Sequence, residues 1–327
     1  MDKVKVSVVC VTYNHEKYIE KCIKSLLEQE TDFLYEIIIH DDASTDNTAR
    51  IVEKYAELYP DKIVTILQKE NVTQKGKAIL RDYIFPIAKG KYIACCEGDD
   101  YWCCKSKLQK QYEAIEKNPN CGMVLHATQC VNEEGKEIAR IFPEVQFESG
   151  IISTQDIIDE LPKWLFHYSS YFYEKEMYLR MMNEQQEFFE MFPVGDIRYL
   201  YLFILYSDIY YYSDIMSCYR TQAIGSWTTR LSKDKEKKFC EQMIIVTQKY
   251  VTLMNQMKKG ISMSSFKENA IDYYEFRFHV LNRDYDCLIK KKFKKYFREF
   301  STKYKIKIRL LAFYRVVCKM LGRKREK

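Results

Sequence analysis

The chain has no CxxC pair, no apolar run long enough to cross a bilayer, and no segment with the pattern of a secretory leader. Each absence removes a class. Twelve cysteines in 327 residues would suit a disulfide framework, but they are scattered, and Cys95-Cys96 and Cys103-Cys104 are neighbours in sequence. Neighbouring cysteines do not make ordinary disulfides, so reduced thiols of a cytosolic protein are expected, and zinc is set aside for want of ligand spacing. Uncharged runs such as Tyr199 to Ser207 fall well short of the roughly 18 residues a membrane span needs. Val6 to Val11 follows Lys3 and Lys5 but meets Asn14, His15 and Glu16 at once. That is too short for a leader's apolar core and lacks a small-residue cleavage site, so it reads as a first strand.

What is present begins with charge. The net charge is +6, yet from Lys290 to Lys327 there are sixteen Lys and Arg against Glu299 and Glu326, a balance of +14 that leaves −8 for the residues before. A moderately acidic body with a basic end argues against nucleic-acid binding by the whole fold and for one anionic surface met by the C-terminal end. The length suits one large α/β domain with an appendage, or two domains.

The first third alternates strand and helix patterns. Behind the strand Val6 to Val11, Ile19, Cys22, Ile23, Leu26 and Leu27 recur at the spacing of a buried helix face. Tyr35 to His40 is a second strand, and Ser44, Thr45, Asp46 and Asn47 offer caps to a helix with Ile51, Val52, Tyr55 and Ala56 on its apolar face. Ile63 to Leu67, Tyr92 to Cys96 and Met123 to His126 are further strands, with helices expected at Lys77 to Ile87 and Lys105 to Lys117. Strands separated by single helices imply parallel pairing and right-handed crossovers, hence a doubly wound α/β sheet.

The strand Tyr92 to Cys96 runs straight into Glu97, Gly98, Asp99, Asp100, Tyr101 and Trp102. Carboxylates at a strand's carboxyl end stand where open α/β sheets bind ligands, and hard divalent cations take such oxygens together with phosphate oxygens. Taken alone the stretch reads first as a solvated turn capping the helix from Lys105. Strand one ends in Thr12, Tyr13 and Asn14 and strand two in Asp41, Asp42, Ala43 and Ser44, so three polar loops converge on one edge. Asp42 could accept from a base imide or a ribose hydroxyl; Asp41 and Ser44 could equally be helix caps.

Together "VSVVCVTYNHEKYIEKCIKSLLEQ", "EIIIHDDASTDNT" and "GKYIACCEGDDYW" resemble the nucleotide-binding half of the family 2 glycosyltransferases, with their GT-A fold. The resemblance extends over roughly residues 4 to 230. It implies an inverting transfer from a nucleoside-diphosphate sugar, a UDP-sugar above all, with Mn²⁺ or Mg²⁺ as cofactor. Thr12 and Tyr13 would line the base with Asn14 and Ser44 beside them, Asp42 would bind uracil, Asp99 with Gly98 would meet the ribose, and Asp100 would hold the metal. Asp196, in the turn Phe192 to Asp196 before an apolar helix pattern, stands where the family has its catalytic base. Arg220, before Gly225, Ser226 and Trp227, resembles the start of the loop that closes over the diphosphate, with Lys77 a further diphosphate contact. The family's histidine beyond the Tyr-Arg pair is replaced here by Thr221, Gln222 and Ala223. Trp102 and His167, the latter in an aromatic strand-like stretch, are the expected acceptor contacts. The role of Glu97 stays open.

These expectations divide the chain into a catalytic domain over 1–231, with a nucleotide-binding half to about 127 and an acceptor half from 128, and a helical, basic amphipathic region over 232–327. In that region Phe293, Tyr296, Phe297, Phe300 and Tyr304, then Leu310, Leu311, Tyr314, Val317 and Leu321, fall at helical spacing among cations, a pattern able to lie on an anionic membrane or to pack as an appendage. The family resemblance implies a saccharide or lipid-linked saccharide acceptor at the inner face of the cell membrane, in surface-polysaccharide synthesis. A nucleotidyltransferase would need a glycine-rich loop after strand one, and Thr12 to Glu16 has no glycine. A non-catalytic relative would be expected to have lost Asp100 or Asp196.

Overall fold

The structure is a computed structural model and describes residues 3–161, 165–193, 195–221, 223, 232–298 and 300–320; of Asp196 and residues 315–320 only the backbone is described. Two compact units make up the chain, one of residues 1–186 and 196–230, the other of 187–195 and 231–327.

The first unit is built on a single mixed sheet. Its strands are β1 (Val6–Thr12), β2 (Tyr35–Asp41), β3 (Ile63–Leu67), β4 (Tyr92–Glu97), β5 (Tyr101–Trp102), β6 (Cys121–Val131), β7 (Glu137–Phe142), β8 (Gly150–Ile152), β9 (Phe172–Glu174) and β10 (Asp208–Arg220). The order is β3-β2-β1-β4-β9-β6-β10-β5, with β7 on β6 and β8 on β10. Among its helices are α1 (Ile19–Leu27), α2 (Thr48–Leu58) and α3 (Lys107–Lys117), then α4 (Thr154–Glu160) and α5 (Lys175–Glu184). The buried faces of α1, α2 and α3 and the apolar strands share one core, with Val8, Ile23, Ile37, Val52, Ala94 and Leu108 in it.

Strands β3, β2, β1 and β4 pair in parallel, as their apolar runs and intervening segments predict. Beyond β4 the expectation fails. The fifth strand of the sequence, β6, does not join β4; the three-residue β9 lies between them, antiparallel to both, with Phe172 opposite Ala94 on one side and Val124 on the other. The segment Lys77 to Ile87 also departs from expectation, forming one wide helical turn at Leu80–Ile84 closed by Phe85 N to Leu80 O at 2.8 Å. The turn lies between Gly76, at φ +75°, and Pro86, which has no N–H to continue a helical ladder.

One buried charge stands out in this core. Lys107 on α3 is fully buried; its Nζ donates to Gln111 Oε1 at 2.7 Å and lies 3.8 Å from the centre of the Trp102 ring. Burial pushes the lysine down to about 7. Between that value and its ordinary one the unfolded chain holds a proton that the folded chain has released, so stability rises with pH, by at most about 1.4 kcal/mol per unit. Lys107→Met keeps the apolar stem and removes the proton. It is expected to flatten the gain in melting temperature between pH 7 and 9 relative to the unmodified protein; parallel curves would mean that the lysine does not titrate there.

The second unit contains α6 (Gln186–Glu190) except its first residue, then α8 (Lys233–Met257), α9 (Ser264–Asn282), α10 (Tyr285–Leu288), α11 (Lys294–Phe297) and α12 (Thr302–Met320); α7 (Gly195–Tyr206) belongs to the first unit but for Gly195. Ser232 caps α8 by accepting from Lys235 N, and Arg277 of α9 pairs with Glu236 of α8. Phe276, Leu288, Phe293, Phe297 and Ile308 form a small core with Tyr296, Phe300 and Tyr304 against it. The Phe276 ring lies 5.7 Å from Phe293, 5.4 Å from Tyr296 and 5.5 Å from Phe300. The first aromatic set of the tail is therefore packed on α9 and is not a lipid-facing stripe. Among the described residues no helix is long and apolar enough to cross a membrane.

Candidate active site

Parallel register sets the carboxyl ends of β1, β2 and β4 side by side, Thr12 opposite Asp41 and Val11 opposite Glu97. The loops after β1 and β2 are fastened to each other. Asn14 and Ala43 take left-handed backbone angles, φ 58° and 62°. Asn14 N donates to Ser44 Oγ at 2.8 Å, Thr45 N donates to Asn14 Oδ1 at 2.7 Å, and Asp41 accepts from Ser44 N at 2.9 Å. Asn14 and Ser44, expected at the donor, are thus first of all the clamp between two loops. Asp42 is buried and accepts from Val72 N at 2.7 Å and Thr73 N at 3.3 Å, so it anchors the loop after β3 and has only its remaining lone pairs for a ligand. Tyr13, between Thr12 and Asn14, is half-buried, and Lys77, on the loop Asp42 holds, is exposed.

The acidic turn is pressed against the end of β1. Gly98 N donates to Val11 O at 2.9 Å, and a Cβ at position 98 would stand 2.4 Å from Thr12 Oγ1 and 2.9 Å from His15 Nδ1, closer than any side chain tolerates. Glycine is required here by approach. Thr12 is buried with its Oγ1 3.2 Å from His15 Nδ1, and the other ring nitrogen of His15 is 3.7 Å from the carboxylate of Asp99.

Asp100 is fully buried. Its Oδ1 accepts the main-chain N–H of Arg220 at 2.9 Å, while Oδ2 has no hydrogen-bond partner and lies 3.7 Å from His167 Nδ1. One ligand atom each from Glu97, Asp100 and His167 lie within 4.8 Å of one another. Burial, with Asp99 and Glu97 close by, raises the Asp100 carboxyl well above the usual carboxylate range. Burial pushes His167 down to about 3, leaving a neutral imidazole, the form that ligates metals. The ring is held by stacking on Tyr219 at 4.0 Å and by Ser169 Oγ, 2.8 Å from Nδ1. An unsatisfied buried carboxylate oxygen between a second carboxylate and a neutral imidazole is what a divalent cation would satisfy. The residues present fit the metal that the acidic turn implies.

Three of the expected contacts are buried in this geometry. His167 is buried against Asp100 and is not an open acceptor platform. Trp102 is buried on β5, its ring under Lys107, and belongs to the core. Arg220 is buried as well: its Nε donates to Asp99 O at 3.0 Å, its Nη1 to Asn132 O at 3.2 Å and to Glu133 O, and its guanidinium lies 4.5 Å from the Tyr18 ring centre. Through Nε and Nη1 it ties the acidic turn to the hairpin after β6. Asp196 stands in the first turn of α7, with its side chain outside the described residues, as are Gly225, Ser226 and Trp227.

A sequence model described as glycosyl transferase family 2 matches residues 7–179, more than half of the chain. The chain belongs to this family. EpsE of Bacillus subtilis (strain 168), named as a glycosyltransferase, is 38% identical over 149 residues, 46% of this chain and 51% of that protein. TuaG of the same strain, named as a glycosyltransferase of teichuronic acid biosynthesis, is 38% identical over 111 residues, 34% of this chain and 42% of that one. The match thus spans about two fifths to a half of these curated relatives. The crystal structure of S. aureus TarS 1-349 in complex with UDP-GlcNAc superposes with a TM-score of 0.60 at 20% identity, over 88% of this chain and 77% of that one. The likeness to TarS supports the GT-A fold, a mostly parallel sheet with helices at the C-terminal side of the sequence. For a family 2 glycosyltransferase, the clamped loops and the acidic turn lie within the matched residues, whereas Asp196 and Arg220 lie beyond them.

Proposed function

We propose that this family 2 glycosyltransferase transfers a sugar, with inversion, from a UDP-sugar to a hydroxyl of a saccharide or lipid-linked saccharide in surface-polysaccharide assembly at the inner face of the cell membrane. One observation carries it: the buried, unpartnered Asp100 Oδ2 between Glu97 and His167 at the carboxyl ends of β1, β2 and β4. A diphosphate-bearing donor with a divalent cation, Mn²⁺ or Mg²⁺, matches that charge and that place in the sheet. The UDP-GlcNAc bound by TarS and the name of TuaG favour a UDP-sugar and a wall or surface polymer.

Asp100, Glu97 and His167 would hold the cation, whose contribution when bound is to neutralise charge developing on the leaving diphosphate. Thr12, Tyr13 and Asp42 receive the base, and Asp99 the ribose. Asp196 takes the acceptor's proton as its oxygen attacks the anomeric carbon on the face opposite the diphosphate, and a single such displacement inverts the centre. Arg220 contributes by fixing the main chain of Asp99 and Asp100.

Donor hydrolysis over a panel of nucleotide sugars, with Mn²⁺, Mg²⁺ or chelator, tests the proposal. The expected result is release of UDP from one UDP-sugar, abolished by chelator. No release from any sugar, together with no rise in melting temperature on adding UDP and Mn²⁺, would overturn it.

A further inference from the structure

Among its described residues, helix α12 buries one side. Ile308 and Ala312 are fully buried, and the half-buried Tyr304 and Leu311 border them. On its other side Ile306, Leu310, Phe313 and Tyr314 are 54%, 65%, 69% and 62% exposed. At the helical repeat of about 3.6 residues per turn these four fall within an arc of roughly 100°, one continuous apolar stripe. Lys307 and Arg309, both exposed, border the stripe on either side, and exposed Lys303 lies one turn before it. No lone surface leucine makes such a stripe; clustered exposed apolar side chains rimmed by charge mark an interaction surface.

We propose that this stripe docks on an anionic lipid surface. The sequence alone spreads the amphipathic pattern over the whole tail, but the structure consumes Phe293, Phe297, Phe300 and Tyr304 in the small core on α9 and leaves the α12 stripe outside it. The surface is the convex flank of a single helix, which suits sinking into a headgroup layer. Lysine and arginine stems run along apolar surface while their charges reach phosphate, so cations on both borders serve a bilayer. The charge agrees: sixteen cations stand against two glutamates from residue 290 onward. Each Lys or Arg near an anionic membrane adds attraction that falls off within a Debye length. This gives the proposed transferase a location but does not depend on its chemistry, because lipid binding is measured without donor.

The test is co-sedimentation of the full chain with vesicles of phosphatidylglycerol mixed with phosphatidylcholine, and with phosphatidylcholine alone, at low and high salt. The expected result is binding to the anionic vesicles at low salt, weakened by high salt, and little binding to the neutral ones. The paired variant L310E/F313E alters exposed side chains only, so its helical circular dichroism and UDP binding should match the unmodified protein while vesicle partitioning drops by more than about tenfold. Equal partitioning of variant and parent overturns the proposal, as does salt-independent binding to neutral vesicles. So does absence of vesicle binding with a self-association that the variant abolishes, which would give the stripe to a second copy of the chain. Loss of transfer with retained vesicle binding would instead count against the proposed reaction alone.

Discussion

Asp100→Ala is expected to abolish cation-dependent UDP binding, with a loss of more than about 100-fold, since removing even a residue behind a metal ligand costs 10–100-fold. The carboxylate would be a direct ligand, and without it the charge of the diphosphate stays uncompensated. Alanine also releases the main-chain N–H of Arg220 from Oδ1, which would loosen the end of β10. Asp100→Asn separates the two effects, because its amide oxygen can keep that bond while the charge is gone. Calorimetric titration of UDP in the presence of Mn²⁺ should show loss in both variants. Unchanged affinity in the asparagine variant would remove Asp100 from the metal site.

Asp196→Asn is expected to leave UDP affinity within about twofold and to lower transfer by about 10²–10⁴, the usual contribution of a general base. An amide preserves size and hydrogen bonding but cannot take the acceptor's proton. Donor binding and transfer measured on the same preparation separate the roles. Transfer above about a tenth of the parent rate would return Asp196 to an ordinary place in the first turn of α7.

How much was legible follows from what each residue needs in order to be placed. The strands β1 to β4 and the acidic turn are local: an apolar run ending in polar residues has the same meaning wherever the chain goes, and Thr12, Asp42 and Asp100 stand at or just after such strand ends. His167 does not. Its neighbours Phe166, Tyr168 and Tyr171 make it look like part of a sugar platform, and only the insertion of β9 between β4 and β6 carries it to Asp100. Arg220 is similar, since a sequence shows the charge of a guanidinium but not the three carbonyls that its Nε and Nη1 meet. Trp102 beside two aspartates looks exposed until Lys107, five residues on, turns out to cover its ring. The tail gave its amphipathic period correctly. Which of its two aromatic sets would be buried depended on the partner helix α9, more than ten residues earlier in the chain.

The place of β9 also dictates an order of events during synthesis. Strand β4 has its β1 partner before it in the chain, but its other edge meets Phe172–Glu174, some eighty residues later. Until then β4 presents a row of unpaired main-chain donors and acceptors, the kind of edge that recruits another chain. Closing it requires a contact of long sequence separation, which is slow to form. A chain cut short before residue 172 would therefore keep β1 to β8 but lack β9 and β10, the strand that seals β4 against β6 and the one whose Arg220 N–H meets Asp100.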